Sequence, residues 1–581
     1  MTYNENLLFR FLKIKLNESF HLNEEITKGF GDVAIIKRNG YYEHYIVDRS
    51  LKYDFKKFYS FNSLVQFVAE YYSNDREEYD FIMSMMEEKE RNLTMMTDFY
   101  ELTMGETYFK SGKKDEIAVF DAFFRKNPLG GGYGIMGGVD RIIQFIENVH
   151  FTESDIEYLR NTKQFSEEFL SYLKNFHFTG NIYAIPDGTP IFANEPIVTV
   201  KAPIIEAQLI ETILLSYLNA NILYTTSARR VVEAAGNIGI MEFGARRALG
   251  PETAVEASKC AMIAGCVGTS NVLAGQEYGF PVLGTMAHSL VQEADSEYDA
   301  FLNYAKAYPN NCVLLVDTYD VLKSGVPNAI RVAKEYLIPN GYELKGIRID
   351  SGDLAYLSKE AKRMFTEAGL PNVKVTLSNG LNETTIESLK RQGAVIDSIG
   401  LGDNIVLPDQ ARVGCVYKNV AIKKDKVFLS RIKVSNESAK AITPGFKRVY
   451  RFYDQETGYA LGDVIALHDE NIPKDKYTLI DPNNEANQCT IKNYIVKELQ
   501  ETIIEKGKVV YKDPDWKEKQ KYCNEQMRTL YPEVKRLENP HGYYVDLSRK
   551  LLDLKKKLIL EAKNTKSDDK IVLRKKGNHG I

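Results

Sequence analysis

The sequence predicts an α/β protein organised around a (β/α) barrel, with smaller α/β, β-rich and α+β parts attached to it. Three observations carry this prediction. Short apolar strands recur through the middle of the chain, at 238–243, 282–285, 312–316, 346–349, 373–377 and 395–399, each followed by a polar turn and a helix. They repeat every 22 to 46 residues or about that, the length of a strand-helix unit, and such short connections demand parallel strands. Nearly every one of these strands ends in a charged or glycine-rich turn, where barrels build their active sites. An open doubly wound sheet competes with the barrel on the same pattern.

Length and composition bound the rest. At 581 residues the chain exceeds what one core organises. Four parts are expected: 1–90, 91–205, 206–410 and 411–581. A net charge of −4 argues against a general nucleic-acid binder, which needs a strong basic excess. Glu5, Arg10 and Lys13 interrupt the first fifteen residues, so no signal-peptide core is expected there. The uncharged runs 212–228 and 260–276 carry Ser, Thr and Asn and fall short of a membrane span. Six cysteines without a C-x-x-C pair suggest neither a disulfide scaffold nor a zinc cluster. A cytoplasmic enzyme is the expectation.

Taken in order, 33–38 and 44–48 alternate like strands around Asn39-Gly40, a hairpin signal. Helical stretches follow at 63–72 and 76–90. This first piece shows no chemistry and reads as an accessory α+β module; Met85 or Met86 offers an internal start. A helix is expected over 96–109 with Thr97 or Asp98 as its cap. A strand at 117–124 then leads into Arg125-Lys126-Asn127-Pro128 and a glycine run. In that run Gly132-x-Gly134-x-x-Gly137 matches a dinucleotide fingerprint, and a helix over 139–149 follows. The fingerprint needs a second parallel strand with an acidic residue, but 152–172 is helical. The run reads instead as a flexible loop that approaches a phosphate or a neighbouring subunit. Beyond Ala411 the texture is β-rich (427–434, 448–453, 480–481), then helical, and 549–576 holds eleven basic and four acidic residues, a solvated helix and tail.

The ends of the middle strands carry the candidate chemistry. They present Glu242 with Arg246 and Arg247, then Thr285 and His288, then Asp317 and Asp320. Arg348, Asp350 and Asp353 follow, then Ser378, Asn379 and Gly380, and last Gly400, Gly402 and Asp403. Carboxylates beside arginines suit an anion held through a divalent metal. Asp317 and Asp350 match the one or two carboxylates that Mg²⁺ takes alongside substrate phosphates. The turns 378–380 and 400–402 offer backbone N–H groups near helix starts, the usual cradle for phosphate. Arg348 can fork onto a carboxylate or a pyrophosphate. His288, the sole histidine of 206–410, is placed for proton transfer or for accepting a phosphoryl group. No Walker A motif exists, so any ATP use goes through another device.

These residues stand inside a set of motifs that resembles the nicotinate phosphoribosyltransferase family of type II phosphoribosyltransferases. The motifs are Leu93-Thr-Met-Met-Thr-Asp-Phe-Tyr-Glu-Leu-Thr-Met104, Phe120-Asp-Ala-Phe-Phe-Arg-Lys-Asn-Pro128 and Glu242-Phe-Gly-Ala-Arg-Arg247. Gly284-Thr-Met-Ala-His-Ser289, Leu315-Val-Asp-Thr-Tyr-Asp320 and Arg348-Ile-Asp-Ser-Gly-Asp353 follow. Asn539-Pro-His-Gly-Tyr-Tyr-Val-Asp-Leu-Ser548 completes the set. Together they span 91–560, and the extension before Arg91 has no counterpart in the family pattern.

The resemblance implies an irregular TIM-like barrel over 206–410, an N-terminal transferase domain over 91–205 with returning β-strands, and a homodimer with shared sites. It implies that nicotinate and phosphoribosyl pyrophosphate give nicotinate mononucleotide and pyrophosphate, coupled to ATP hydrolysis, in the salvage route to NAD. By position, His288 resembles the histidine that ATP phosphorylates, and Tyr100 the aromatic that stacks on the pyridine ring from the partner subunit. Thr285 and Arg348 match nicotinate contacts; Asp317 and Asp350 match the carboxylates around ribose, pyrophosphate and Mg²⁺. Residues 378–380 and Gly400, Gly402 and Asp403 match the 5′-phosphate turns. Asp403 departs from relatives with Thr there, and its charge repels a phosphate unless it points away. The arginine for the nicotinate carboxylate stays open among Arg229, Arg246, Arg247 and Arg348. The amide-using nicotinamide relative is the nearest rival, with Glu242 leaving room for an amide donor. A ligand sensor that has lost turnover is a third reading, against which the full set Tyr100, His288, Asp317, Arg348 and Asp350 argues.

Overall fold

A computed structural model of the chain describes residues 33–38, 41–47, 53–58, 64–65, 92–434 and 442–564. It divides into two units, Met1–Met95 and Met96–Ile581. In the first, Val33–Arg38, Tyr41–Val47 and Tyr53–Phe58 form an antiparallel meander. Arg38 pairs with Tyr41, the register that the Asn39-Gly40 signal calls for. The helices expected at 63–72 and 76–90, apart from Leu64 and Val65, lie outside the described residues, as do the internal start at Met85 or Met86 and the tail 565–581.

The second unit is built on three larger sheets, with two further strand pairs. Strands expected from the middle of the sequence form a six-stranded parallel sheet: β1 (Gly239–Glu242), β2 (Gly268–Thr269), β3 (Val313–Leu315), β4 (Gly346–Ile349), β5 (Lys374–Leu377) and β6 (Ser398–Leu401). The spatial order is β2-β1-β6-β5-β4-β3, so the last strand returns to pair with the first. Strand ladders do not close the irregular barrel expected from the sequence among the described residues. The 282–285 strand shrinks to a single bridge between Val282 and Thr269, and no ladder joins Val282 to β3 among the described residues. Pro281 has no N–H to donate, and Gly284 offers no side chain to pack, so this strand stops short. The sheet therefore curls round but keeps a seam between Val282 and β3.

A seven-stranded antiparallel sheet weaves early and late segments together. Its order is Val427–Ser430, Val416–Lys424, Ile117–Phe123, Val198–Pro203, Asn181–Ala184, Glu501–Glu505, Lys508–Val509. Ile117–Phe123 lies in its interior and is buried along nearly its whole length, which explains why all but one of its residues are apolar. The exception, Asp121, accepts the Thr199 hydroxyl at 2.7 Å and pairs with Lys447, whose strand Lys447–Asp454 belongs to the third sheet. There Arg451 and Asp463, both fully buried, form a two-point pair at 2.8 and 2.7 Å. The Tyr543 hydroxyl donates to the same carboxylate at 2.8 Å, and Arg451 also donates to the Pro190 carbonyl at 2.8 Å.

The glycine run, expected as a flexible loop that approaches a phosphate or a neighbouring subunit, is buried over Gly132–Gly138 against other segments of this chain. A Cβ on Gly132 would sit 2.1 Å from the Val534 carbonyl oxygen, and one on Gly137 2.7 Å from Thr225 Oγ1. Glycine is needed there because the backbone packs against the long helix Glu211–Ala235 and a C-terminal turn. That helix ends at Gly236 and leads directly into β1, so it connects the antiparallel sheet to the parallel one. Among the described residues no helix is long and apolar enough to cross a membrane.

Candidate active site

Parallel register brings the C-terminal ends of β3, β4 and β5 side by side: Leu315 lies opposite Arg348, and Ile349 opposite Leu377. The residues that follow each strand therefore converge. The Asp350 N–H donates to Asp317 Oδ2 at 3.0 Å, and the Ser351 hydroxyl donates to the same oxygen at 2.6 Å. Ser378 donates its hydroxyl to Asp350 Oδ1 and accepts from Arg348 Nε at 2.9 Å. Arg348 stands 3.4 Å from Asp350, and its other nitrogen reaches Thr285 Oγ1 at 3.3 Å. Thr285, Arg348, Asp350, Ser378 and Asp317 thus form one hydrogen-bonded set. Part of it crosses the seam of the sheet, joining the 282–288 segment to β4.

His288 opens the helix His288–Glu293 on the same segment, half-buried, with Nδ1 3.1 Å from Thr318 Oγ1. Thr318 follows Asp317, so this contact also spans the seam. Asn379 and Gly380 form the turn after β5. Asn379 carries a φ of 101° and Gly380 one of 50°, a left-handed pair that is costly for Asn. A Cβ on Gly380 would meet nothing within 4 Å, so its glycine serves the backbone conformation alone.

At the β6 end the glycines also serve packing. Gly400 is a strand residue opposite Met241, and its missing side chain makes room for the Phe243 ring, 2.4 Å from where a Cβ would stand. Gly402 packs on the Phe243 carbonyl. Asp403 turns its carboxylate to Arg247, 3.1 Å away and as exposed as itself. The repulsion that a carboxylate brings to a phosphate turn is met by this pairing.

Six other residues read from the sequence have different surroundings. Glu242 is fully buried rather than facing the mouth. It accepts from the Gly244 N–H, from Ser258 at 2.9 Å and from Thr269 at 2.5 Å, tying β1 to β2. Arg229 is buried in the long helix, bound to Glu233, to the Ala264 carbonyl at 3.1 Å and to Asn524 at 2.5 Å, which leaves its fork no free edge for a ligand carboxylate. Arg246 is exposed in the short turn after β1, and Asp320 and Asp353 are helix caps. Tyr100 lies 45% exposed at the start of helix Phe99–Lys110, and among the described residues no hydrogen bond or ion pair links it to the strand-end set. Its hydroxyl lies against the Glu211 carboxylate, and its pKa is raised, first by burial and then by that charge.

Sequence reasoning did not single out Ser351, Thr318 or Phe243. Each adjoins a residue it did single out, and only the register shows that they face the same space. The Arg348 guanidinium lies 6.0 Å from the centre of the Phe243 ring. Glu101 was missed as well; burial pushes its carboxyl up to about 7.

A divalent metal fits this set. Asp317 Oδ1 is buried with no hydrogen-bond partner, an orphan oxygen beside a second carboxylate, Asp350. Among the described residues no group of three or more potential ligands gathers. Two carboxylates are the protein share that Mg²⁺ needs when substrate phosphates supply the rest.

Comparison with known proteins follows the same outline. Models of the nicotinate phosphoribosyltransferase N-terminal domain, family and C-terminal domain match residues 95–219, 238–443 and 446–555. The chain is 42% identical over 478 residues to nicotinate phosphoribosyltransferase of Bacillus subtilis, spanning 82% of this chain and 97% of that one. It is 36% identical to nicotinate phosphoribosyltransferase 2 of Arabidopsis thaliana, over 79% of this chain and 93% of that one. Its fold resembles human nicotinic acid phosphoribosyltransferase with a TM-score of 0.71 at 28% identity, covering 80% of this chain and 99% of the other. It also resembles nicotinate-nucleotide pyrophosphorylase from Pyrococcus furiosus, with a TM-score of 0.59 at 22% identity over 76% and 97%, a likeness of fold.

Proposed function

Because the chain belongs to the nicotinate phosphoribosyltransferase family, we propose that it joins nicotinate to phosphoribosyl pyrophosphate, giving nicotinate mononucleotide and pyrophosphate for NAD synthesis, with ATP hydrolysis coupled through His288. The observation that carries this reading is the hydrogen-bonded set Thr285–Arg348–Ser378–Asp350–Asp317 at adjoining strand ends.

In this reading the pyridine nitrogen attacks ribose C1 while the bond from C1 to the pyrophosphate oxygen breaks, through an oxocarbenium-like state. Positioning and charge stabilisation do most of the work. Asp317 and Asp350 would hold Mg²⁺, which when bound neutralises charge on the departing pyrophosphate. Arg348, braced by Ser378 and Asp350 and reaching Thr285, would offer its remaining N–H donor to the nicotinate carboxylate. A charge-assisted hydrogen bond of this kind contributes about 1.5–3 kcal/mol. The backbone of Asn379 and Gly380, with Arg246 and Arg247 exposed in the β1 turn, suits the 5′-phosphate.

With Nδ1 engaged by Thr318, Nε2 of His288 is left to take the γ-phosphoryl group of ATP, releasing ADP. Water then cleaves the phosphohistidine to phosphate, driving transfer forward. A homodimer suits the exposed start of helix Phe99–Lys110, where Phe99 and Tyr100 would reach a partner's site and Tyr100 would stack on the pyridine. A cytoplasmic location and the salvage route complete the reading.

The nicotinamide alternative loses its support in Glu242, whose oxygens are already taken by three donors. The deciding measurement is pyrophosphate release with nicotinate and with nicotinamide, each with and without ATP, in the native protein and in His288→Ala. Nicotinate-dependent release stimulated by ATP, with stimulation lost in His288→Ala, is expected. Release with nicotinamide alone, or stimulation intact in His288→Ala, refutes the substrate or the phosphohistidine respectively.

A further inference from the structure

Asp98 occupies the N-cap of helix Phe99–Lys110, yet its side chain caps nothing. An aspartate there ordinarily binds the free N–H groups of the first turn. The turn is anchored instead by a different carboxylate. Glu101, with no exposed surface, accepts the Thr97 hydroxyl on one oxygen at 2.5 Å and the Thr212 hydroxyl on the other at 2.5 Å. The Thr212 oxygen in turn accepts the Asp98 backbone N–H at 3.2 Å. Residues 97–101 are thereby tied to the first turn of Glu211–Ala235, the helix that leads into β1.

Burying a carboxylate costs free energy unless its hydrogen bonds are satisfied, and an apolar side chain would fill the same space without that cost. What the carboxylate adds is direction: two oxygens, bound to hydroxyls from two segments, admit one orientation of the turn. Outside the turn stand Asp98, Phe99 and Tyr100, all exposed, with Phe99 at 52%. Phe99 meets the Phe165 ring edge-on, with centroids 5.8 Å apart, and the Tyr100 hydroxyl lies against Glu211, so this exposed edge has a defined placement.

We propose that Glu101 is a positioning residue that holds the exposed edge 98–100 in the orientation required at the pyridine site. This rests on the role given to Tyr100 above.

The test compares Glu101→Gln, Tyr100→Ala and their combination in steady-state pyrophosphate release with nicotinate varied, alongside thermal unfolding. Glu101→Gln is expected to raise the nicotinate KM about fivefold, with kcat held within about twofold. In the Tyr100→Ala background the same change is expected to add nothing, because no ring remains to be held. An unchanged KM in folded Glu101→Gln overturns the positioning role, as does an equal rise in both backgrounds. An unchanged KM in Tyr100→Ala alone overturns the reading of Tyr100 and takes the positioning role with it, and that single variant separates the two failures. Thr97→Val, which removes one of the two donors and leaves the carboxylate, carries the same comparison if Glu101→Gln does not fold.

Discussion

Replacing Asp317 by Asn separates what the carboxylate does for the fold from what it does for the reaction. One oxygen, Oδ2, accepts from the Asp350 N–H and the Ser351 hydroxyl at 3.0 and 2.6 Å. The other, Oδ1, is buried without a partner. An asparagine that places its amide oxygen at the Oδ2 position keeps both hydrogen bonds, so the unfolding midpoint should move by no more than about 2 °C. The charge is lost. At an effective dielectric of about 20, unit charges about 4 Å apart attract by about 4 kcal/mol. With part of this recovered by water, the loss to catalysis is about 3 kcal/mol, or about a hundredfold in kcat/KM. The assay is pyrophosphate release over a Mg²⁺ titration, with the variant shifted to higher Mg²⁺ and lower maximal rate. Activity within about threefold of the native protein at every Mg²⁺ concentration would refute the assignment of Asp317 to the metal.

Arg451→Met strands the fully buried Asp463 carboxylate and should cost about 3–5 kcal/mol in urea unfolding, with part regained by adding Asp463→Leu. Glu101, held near 7 against an ordinary 4.5, and Asp513, pushed up mainly by burial to about 6 against 3.8, bind protons more tightly when folded. Their contribution is full below about pH 4 and fades as pH rises through 6 to 7. Urea midpoints should therefore fall between pH 5.5 and 8, and Glu101→Gln should shrink that fall; an unchanged pH dependence argues against the raised Glu101. A Cβ at Gly244 would lie 2.5 Å from Val406 Cγ1 and 2.9 Å from the Gly402 carbonyl oxygen. Gly244→Ala should push apart the loops bearing Arg247 and Asp403 and raise the KM for phosphoribosyl pyrophosphate about tenfold, more than that for nicotinate.

The parallel sheet was legible because each of its longer strands is a short apolar run bounded by polar turns, and 346–349 coincides with β4. β2 was not, since two residues inside the uncharged run 260–276 leave no periodic trace. The seam was written in Pro281 and Gly284, but their effect depends on a neighbouring strand that the sequence does not reveal. At the site, charged residues at strand ends were legible one by one. Their partners were not: Glu242 looks like a mouth residue and Arg229 like a carboxylate binder until burial shows both engaged elsewhere, and the conflict around Asp403 disappears only once Arg247 is seen beside it. Glu101 was illegible because a carboxylate in the first turn of a helix is ordinarily exposed and favourable there.

The break between Val282 and β3 means that the parallel sheet's circumference is completed by side chains. Arg348 to Thr285 and His288 to Thr318 are the rungs across the gap, and they belong to the same residues that meet the substrate. Occupancy and closure are therefore linked thermodynamically. A ligand that engages Arg348 and Thr285 together also cross-braces the ring, and at about a hundred times its Kd such a ligand adds about 2.7 kcal/mol to the folded state. Hydrogen exchange in β2 and β3, the two strands facing the gap, would report that reinforcement at a distance from the bound atoms.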